Sequence, residues 1–226
     1  MKTSNIILLS LVGSITVVII TIALQLRFTG TKKSDRIDVI SSEIKLAPFK
    51  YLVVHTSSNF SIEASEEVGM VIRNGAGNPT PGVEYRQDGD TLFINRMQPN
   101  EGQRSFSFAV KTPVSNLVGI FAEDASFSLM DFDSESLVVD LRKSRMNMQS
   151  AKAVNAGNLT LRATEDSHVY TSNVRFDTVE FYLDDAEARL SDRINQLRGS
   201  IKNGASVFAP QAFDIQLKRD STSRFQ

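Results

Sequence analysis

The sequence predicts an all-β fold: a β-solenoid, or β-helix-like, domain preceded by a single N-terminal transmembrane helix. Three observations carry this prediction. They are an apolar run near the N-terminus, short stretches of alternating apolar and polar residues after it, and a repeat of near-constant length in the C-terminal half. Alternation with a period of two is typical of half-buried strands. A fixed repeat of roughly 20–50 residues is typical of stacked repeat architectures.

The apolar run, Ile6–Leu24, reads IILLSLVGSITVVIITIAL, and no charged residue occurs between Lys2 and Arg27. A helix of this length spans roughly 28 Å, which matches a hydrocarbon core of about 30 Å. A cleaved signal peptide is the alternative, but its apolar region is shorter and ends at a small-x-small site that is not evident here. We therefore predict an uncleaved membrane anchor at residues 1–28.

The charges that flank this segment bear on its orientation. Lys2 precedes it, and four basic residues follow it: Arg27, Lys32, Lys33 and Arg36. The positive-inside rule alone would leave the C-terminal domain in the cytoplasm. The family resemblance described below implies export instead. On that basis we expect a single-pass membrane protein of the bacterial cell envelope, with its domain on the periplasmic side.

Composition narrows the classes of function. The chain has 226 residues, a formal net charge of -1, no cysteine and two histidines. Without cysteine there is no disulfide, no thiolate metal site and no cysteine nucleophile. The near-neutral charge provides no overall attraction to nucleic acid. We expect no catalytic residue, no metal and no cofactor. The expected partners are the membrane, through Ile6–Leu24, and an unidentified protein or glycan.

Domain boundaries follow from changes in composition. Residues 29–47 are polar and are predicted to be a linker with one short strand near 37–40. Residues 48–217 form the predicted β-solenoid domain, and residues 218–226 are predicted to be a disordered tail. Within the domain, Val83–Ile94 is predicted to be a β-hairpin, because its centre reads Gln-Asp-Gly-Asp and glycine supplies the positive φ that a tight turn needs.

The repeat is defined by two sets of positions. The apolar residues that open each repeat are separated by 20, 22, 20 and 18 residues: Leu117, Leu137, Leu159, Val179 and Leu197. A small residue marks a bend in each repeat: Ala125, Ser144, Ser167, Ala186 and Ala205. We expect the opening residues to form one interior file as successive coils stack. Differences in repeat length should bulge outward as loops at 131–136, 150–157 and 172–177. An antiparallel sandwich with regular hairpins is the alternative.

Clustered carboxylates are the candidate chemistry. The pairs are Glu123/Asp124, Asp131/Asp133, Glu165/Asp166 and Asp184/Asp185, and three of them come just before a bend residue. A stacked acidic edge could bind Ca²⁺ or process a polysaccharide. Acids also favour turns for local reasons, and Arg142-Lys143 should neutralise the series in the second coil. His55 and His168 lack the partners of a catalytic triad.

Aromatic residues complete the pattern. Six phenylalanines are predicted to lie inside the coils: Phe121, Phe127, Phe132, Phe176, Phe181 and Phe208. Any of them that faces outward would form an adhesive or partner surface.

Four segments resemble a known family. They are Phe49–Ile62 (FKYLVVHTSSNFSI), the hairpin Val83–Ile94, the strand running into a proline at Phe106–Pro113, and the coils at 117–209. Over residues 48–217 the chain resembles the "putative auto-transporter adhesin, head GIN domain" family, a domain of unknown function common in Bacteroidetes. The family is often richer in glycine at the bends, where this chain has Asp124, Ser144, Asp166 and Asp185, and a GIN-like tripeptide is not evident.

The resemblance implies an exported, right-handed β-helical protein with no established catalytic activity. We therefore expect an envelope protein whose domain is a binding or scaffold surface, adhesin-like in function. One alternative is a lipid-transport bridge of the lipopolysaccharide-export type, which needs an open apolar groove. The other is a solenoid polysaccharide lyase or hydrolase, which would depend on residues such as Asp166 or Asp185.

Overall fold

Fifteen strands joined in one curled sheet account for most of the chain. The computed structural model describes residues 39–55, 59–75, 82–98 and 106–226. Within these ranges the only helical segment is a 3₁₀ turn, Val114–Asn116. The all-β class predicted from the alternating pattern is therefore confirmed.

The strand bounds, in chain order, are β1 Val39–Lys45, β2 Tyr51–His55, β3 Asn59–Ala64, β4 Gly69–Gly75, β5 Gly82–Asp88, β6 Thr91–Gln98, β7 Phe106–Thr112, β8 Gly119–Glu123, β9 Ser126–Met130, β10 Ser136–Arg142, β11 Arg145–Leu190, β12 Ile194–Lys202, β13 Ser206–Phe208, β14 Ala212–Arg219 and β15 Arg224–Phe225. The long β11 is a continuous extended segment that bends at residues of positive φ, among them Asp166, Asn173 and Asp185.

Parallel pairing dominates, and it forms two ladders. The first ladder runs β6, β2, β8, β10, β11, β12, β14. The second runs β7, β3, β9, β11, β13, β15. From β8 onward the chain alternates between the two ladders. Each return adds a strand about 4.8 Å from its predecessor.

Antiparallel strands complete the first part of the sheet. β1 pairs with β4, β4 pairs with β7, and β5 pairs with β6. The β5–β6 pair is the predicted hairpin, with Gly89 at φ 55° in its turn. The sheet over residues 48–217 is therefore mixed. It differs in this part from the predicted β-solenoid, in which uniform coils would stack on one another.

Inward side chains of the two ladders form the core. The opening residues Leu137 and Leu159 are paired across β10 and β11, and Val179 and Leu197 are paired across β11 and β12; all four are buried. Leu117 is buried too, but it lies one residue out of step. Gly119 pairs with Val138, 19 positions on, whereas Leu117 and Leu137 are 20 apart.

At each bend, a residue with left-handed backbone comes one or two positions before the small buried residue. Positive φ occurs at Asp124, Lys143, Asp166, Asp185 and Asn203. Aspartate and asparagine tolerate this conformation better than other residues with a Cβ. The small residues that the sequence predicted at the bends, Ala125, Ser144, Ser167, Ala186 and Ala205, are all buried.

Two hydroxyls link three successive bends. Ser144 Oγ accepts a hydrogen bond from the Ala125 N–H at 3.0 Å and lies 3.1 Å from the Ala122 carbonyl oxygen. The Ser144 N–H in turn donates to Ser167 Oγ at 3.1 Å. Ser144 and Ser167 therefore each satisfy a backbone N–H of the preceding bend.

Three expectations about chain segments need correction. The segments 131–136, 150–157 and 172–177 do not simply bulge outward, because Phe132, Ala156 and Phe176 are buried. The predicted linker 29–47 was expected to hold one short strand near 37–40, but β1 runs on to Lys45 and pairs along its length with β4. The predicted disordered tail 218–226 is ordered, because β14 reaches Arg219 and β15 pairs with β13.

The structure does not bear out the predictions of a transmembrane helix in the fold and of a single-pass location in the envelope. No helix within residues 39–55, 59–75, 82–98 and 106–226 is long and apolar enough to cross a membrane. The predicted anchor Ile6–Leu24 lies outside the described residues.

Candidate binding face

The outward side chains of the first ladder form the candidate site. In β2, Leu52 and Val54 point into the core, so Tyr51, Val53 and His55 point outward, as successive side chains in a strand must alternate. In β8, Phe121 lies between the buried Ile120 and Ala122 and also points outward. Strand register pairs Val53 with Phe93 on one side and with Phe121 on the other.

An aromatic patch results, which we define as Tyr51, Val53, Phe93 and Phe121. Tyr51 and Phe121 are 38% and 37% exposed. Both rings cover Gly119: a Cβ placed on that glycine would lie 3.0 Å from Tyr51 Cδ1 and 3.4 Å from Phe121 Cε2. The glycine therefore gives the rings room to lie flat on the ladder. The Arg86 guanidinium lies 4.8 Å from the centre of the Phe93 ring, within cation–π range.

The exposure of Phe121 corrects a prediction, as does that of Phe208, which is 41% exposed. Strict alternation from Leu117 would have turned Phe121 inward. The one-residue slip between Leu117 and Ile120 reverses the faces, because a shift of one residue moves every side chain of a strand to the other side. Phe127, Phe132, Phe176 and Phe181 are buried as predicted.

An ion-pair series borders the patch on the same face. His55 Nδ1 lies 3.0 Å from a Glu123 carboxylate oxygen, and the other Glu123 oxygen lies 3.1 Å from an Arg142 terminal nitrogen. Arg142 Nε donates to Glu165 at 2.7 Å, and Lys143 Nζ lies 3.6 Å from Glu165. The hydrogen bond from Arg142 lowers the pKa of Glu165 below its ordinary value. The predicted neutralisation of this edge by Arg142 and Lys143 is confirmed.

The remaining acids occupy bends for local reasons. Asp131, at φ 54°, accepts hydrogen bonds from Ser150 Oγ at 2.7 Å and from the Ala151 N–H at 2.9 Å. These bonds, the one from Ser150 first, lower the pKa of Asp131. Asp166 and Asp185 have left-handed backbone and project from the bends. In the part of the chain that the structure describes, no three His, Asp or Glu side chains cluster in a way that could hold a metal.

The structure also assembles a polar cluster that the sequence did not reveal, on the second ladder. His168 Nε2 lies 3.4 Å from Asp166, and His168 Nδ1 lies 3.4 Å from Glu187. A hydrogen bond from Arg189 lowers the pKa of Glu187. Glu187 and Arg189 lie 19 and 21 residues after His168 in β11, and only the bends of that long segment bring them to His168.

Comparison with known proteins gives distant structural matches at low sequence identity. No family model and no curated protein matches the chain. Among solved structures, a "putative adhesin" from Bacteroides fragilis is 13% identical, with 84% of this chain and 97% of that chain covered and a TM-score of 0.47. One from Parabacteroides merdae is 14% identical, with 83% and 96% covered and a TM-score of 0.43. One from Parabacteroides distasonis is 10% identical, with 84% and 97% covered and a TM-score of 0.45. Membership of the head GIN family stays a prediction.

Proposed function

We propose that this protein is a non-enzymatic, adhesin-like binding protein whose aromatic patch engages the sugar rings of a glycan. The observation that carries the proposal is the pair of exposed rings, Tyr51 and Phe121, lying together over Gly119 on a parallel ladder. Adjacent exposed apolar side chains on a soluble surface mark interaction sites more often than isolated ones do.

The chemistry of the patch favours a sugar. The C–H face of a pyranose ring is apolar and flat, so it packs against an aromatic ring while its hydroxyls reach polar neighbours. Tyr51 and Phe121 lie on the adjacent strands β2 and β8, where Phe121 is two residues beyond Gly119, the register partner of Tyr51. Charged side chains lie next to the patch: Lys50 and Asp90 form an ion pair at 2.8 Å, and Glu123 and Arg142 form another.

The two alternative functions draw less support from the described residues. A lipid bridge needs an open apolar groove, whereas Leu161, Phe181 and Leu197 fill the interior and are fully buried. A lyase or hydrolase needs convergent carboxylates, whereas Asp166 and Asp185 sit at separate bends whose backbone conformation accounts for them.

The test is binding of the purified protein to an array of neutral and acidic oligosaccharides, followed by titration calorimetry on those that bind. Replacing both rings, Tyr51→Ser with Phe121→Ser, should weaken binding by roughly tenfold or more, since the buried contact of two rings is lost. Tyr85→Ser is the matched control, because Tyr85 is 40% exposed but pairs with the buried Ile94. Unchanged affinity in the double variant, or an array on which nothing binds, would refute the proposal.

A further inference from the structure

A second concave region lies on the first ladder, at its opposite end. Strands β11, β12 and β14 form a cavity of about 850 Å³ there, within the usual range for ligand sites. Ser200 belongs to its lining and carries only a short side chain, and Gly199 next to it carries none. The longer side chains around them are Glu180, Tyr182, Arg198, Lys202, Gln216, Lys218, Arg219 and Asp220.

The cavity is positively charged although the protein is not. Its lining contains four cations, Arg198, Lys202, Lys218 and Arg219, and two carboxylates, Glu180 and Asp220, so its formal charge is four minus two, or +2. The whole chain has a formal charge of -1. Cations gathered in a concave site attract anionic ligands more strongly than the same charges spread over a convex surface.

Neither carboxylate forms an ion pair with these cations among the described residues. Glu180 accepts a hydrogen bond from the Tyr182 hydroxyl. Asp220 accepts hydrogen bonds from Ser223 Oγ at 2.7 Å and from the Asn203 N–H at 2.8 Å. Among the ion pairs of the described residues, none includes Arg198, Lys202, Lys218 or Arg219. Arg198 donates one hydrogen bond to Gln196 Oε1 at 2.8 Å, and its remaining donors and the other three cations have no carboxylate partner among these ion pairs.

An exposed ring lies beside the cations. Tyr182 is 43% exposed, and the Arg162 guanidinium lies 6.0 Å from the centre of its ring. Strand register pairs Tyr182 with Ser200 and Ser200 with Lys218, so the ring and the ammonium group lie along one outward row, on either side of the serine. A flat ring next to cationic donors matches a sugar that bears a carboxylate.

We infer that this cavity binds the carboxylate groups of an acidic glycan, a uronate-containing oligosaccharide. The inference rests on the proposed glycan-binding function and specifies its ligand. The aromatic patch and the cavity then act on one extended ligand along the same face, the patch through ring stacking and the cavity through charge. A guanidinium such as that of Arg198 can hold a carboxylate through two parallel hydrogen bonds.

The experiment compares trigalacturonate with its methyl ester, a neutral ligand with the same sugar rings, by titration calorimetry on the full chain. We expect the acid to bind at least tenfold more tightly than the ester, and the difference to shrink as salt is raised. Lys202→Gln with Lys218→Gln should remove most of that difference. Lys45→Gln with Lys152→Gln is the matched control, because it removes the same charge at exposed lysines outside the cavity.

The outcomes separate this inference from the proposed function. Equal binding of acid and ester, or no binding of the acid at millimolar concentration, overturns the inference, as does an equal loss in the control variant. If the ester still binds and Tyr51→Ser with Phe121→Ser weakens it, the proposed function survives alone. Inorganic sulfate is the second probe: if it competes with trigalacturonate only at the cavity, with shifts at the Gly199 and Ser200 amides, the anion site is located directly.

Discussion

The two ends of the first ladder use a glycine in opposite ways. At one end, Gly119 leaves room on the outer face, where the Tyr51 and Phe121 rings lie over it. At the other end, Gly199 lets a neighbouring strand come close: a Cβ there would lie 2.0 Å from the Phe181 carbonyl oxygen. The first glycine therefore shapes a surface and the second shapes the backbone. Replacing the glycine hydrogen with a methyl group should therefore weaken binding at the Gly119 end and destabilise the fold at the Gly199 end.

The largest expected effect is that of Gly199→Ala. Its φ of 152° and the contact with the Phe181 carbonyl leave no place for a Cβ, so β12 must move away from β11. We expect a loss of about 2–4 kcal/mol in the free energy of unfolding, measured by denaturant titration. Gly204→Ala is the control, with φ 81° and no atom within 4 Å of the added Cβ. It should cost about 1–2 kcal/mol, and an equal loss in both variants would show that the close approach is unimportant.

Ser144→Ala, which lies between the two ends of the ladder, should have the next largest effect on stability. The change removes the acceptor of the Ala125 N–H in a buried bend, which leaves a backbone donor unpaired. The expected cost is about 1–3 kcal/mol of unfolding free energy. Ser128→Ala removes a hydroxyl that faces outward on β9, and it should change stability by only a few tenths of a kcal/mol. A comparable loss at Ser128 would contradict the assigned role of Ser144.

A smaller effect should depend on pH and affect only the cavity end. Hydrogen bonds from Ser223 and Asn203 hold the pKa of Asp220 well below its ordinary value of 3.8. Because the folded pKa is depressed, the stabilisation is complete above the ordinary value and is lost as pH falls below it. The protection of the β15 amides against exchange, after correction for the intrinsic pH dependence of exchange, should therefore fall between about pH 5 and pH 2 in the native protein. Asp220→Asn should flatten that dependence, and an unchanged profile would exclude Asp220 as its cause.

The smallest effect on stability should come from Gly119→Ala, which is the test of the comparison. The new methyl group would contact the Tyr51 ring at 3.0 Å, and a ring at the surface can turn away. We expect a change below about 1 kcal/mol in unfolding free energy together with a clear loss of glycan affinity. A loss of stability as large as that of Gly199→Ala would mean that both glycines serve the backbone.

Much of the interior could be predicted from the sequence because burial leaves a periodic record. Leu137, Leu159, Val179 and Leu197 recur at a near-constant step, and each is buried. The antiparallel pairing of β1 with β4 could not be predicted from the sequence. The two strands are far apart in the chain, and the polar residues that flank them give no clear sign of a strand pair.

The site was harder to predict than the core. Phe121 was expected inside because the alternation was counted from Leu117, and a one-residue slip before Ile120 turned it outward. The charged lining at Arg198, Lys202 and Lys218 consists of ordinary outward residues of two strands. Only their stacking, next to a glycine that admits a close neighbour, makes them one site. Because outward residues are not constrained by packing, their spacing in the sequence does not indicate which of them form a binding site.

The left-handed bends limit which residues can replace one another over time. A position with φ near 50–60°, such as Asp124 or Asp185, can exchange with asparagine or glycine at little cost, whereas a branched residue would be strained. The acidity of that edge should therefore drift among relatives without loss of the fold. In a saturation library of this chain, the bends should tolerate neutral substitutions that the cavity lysines, if they hold a ligand, do not.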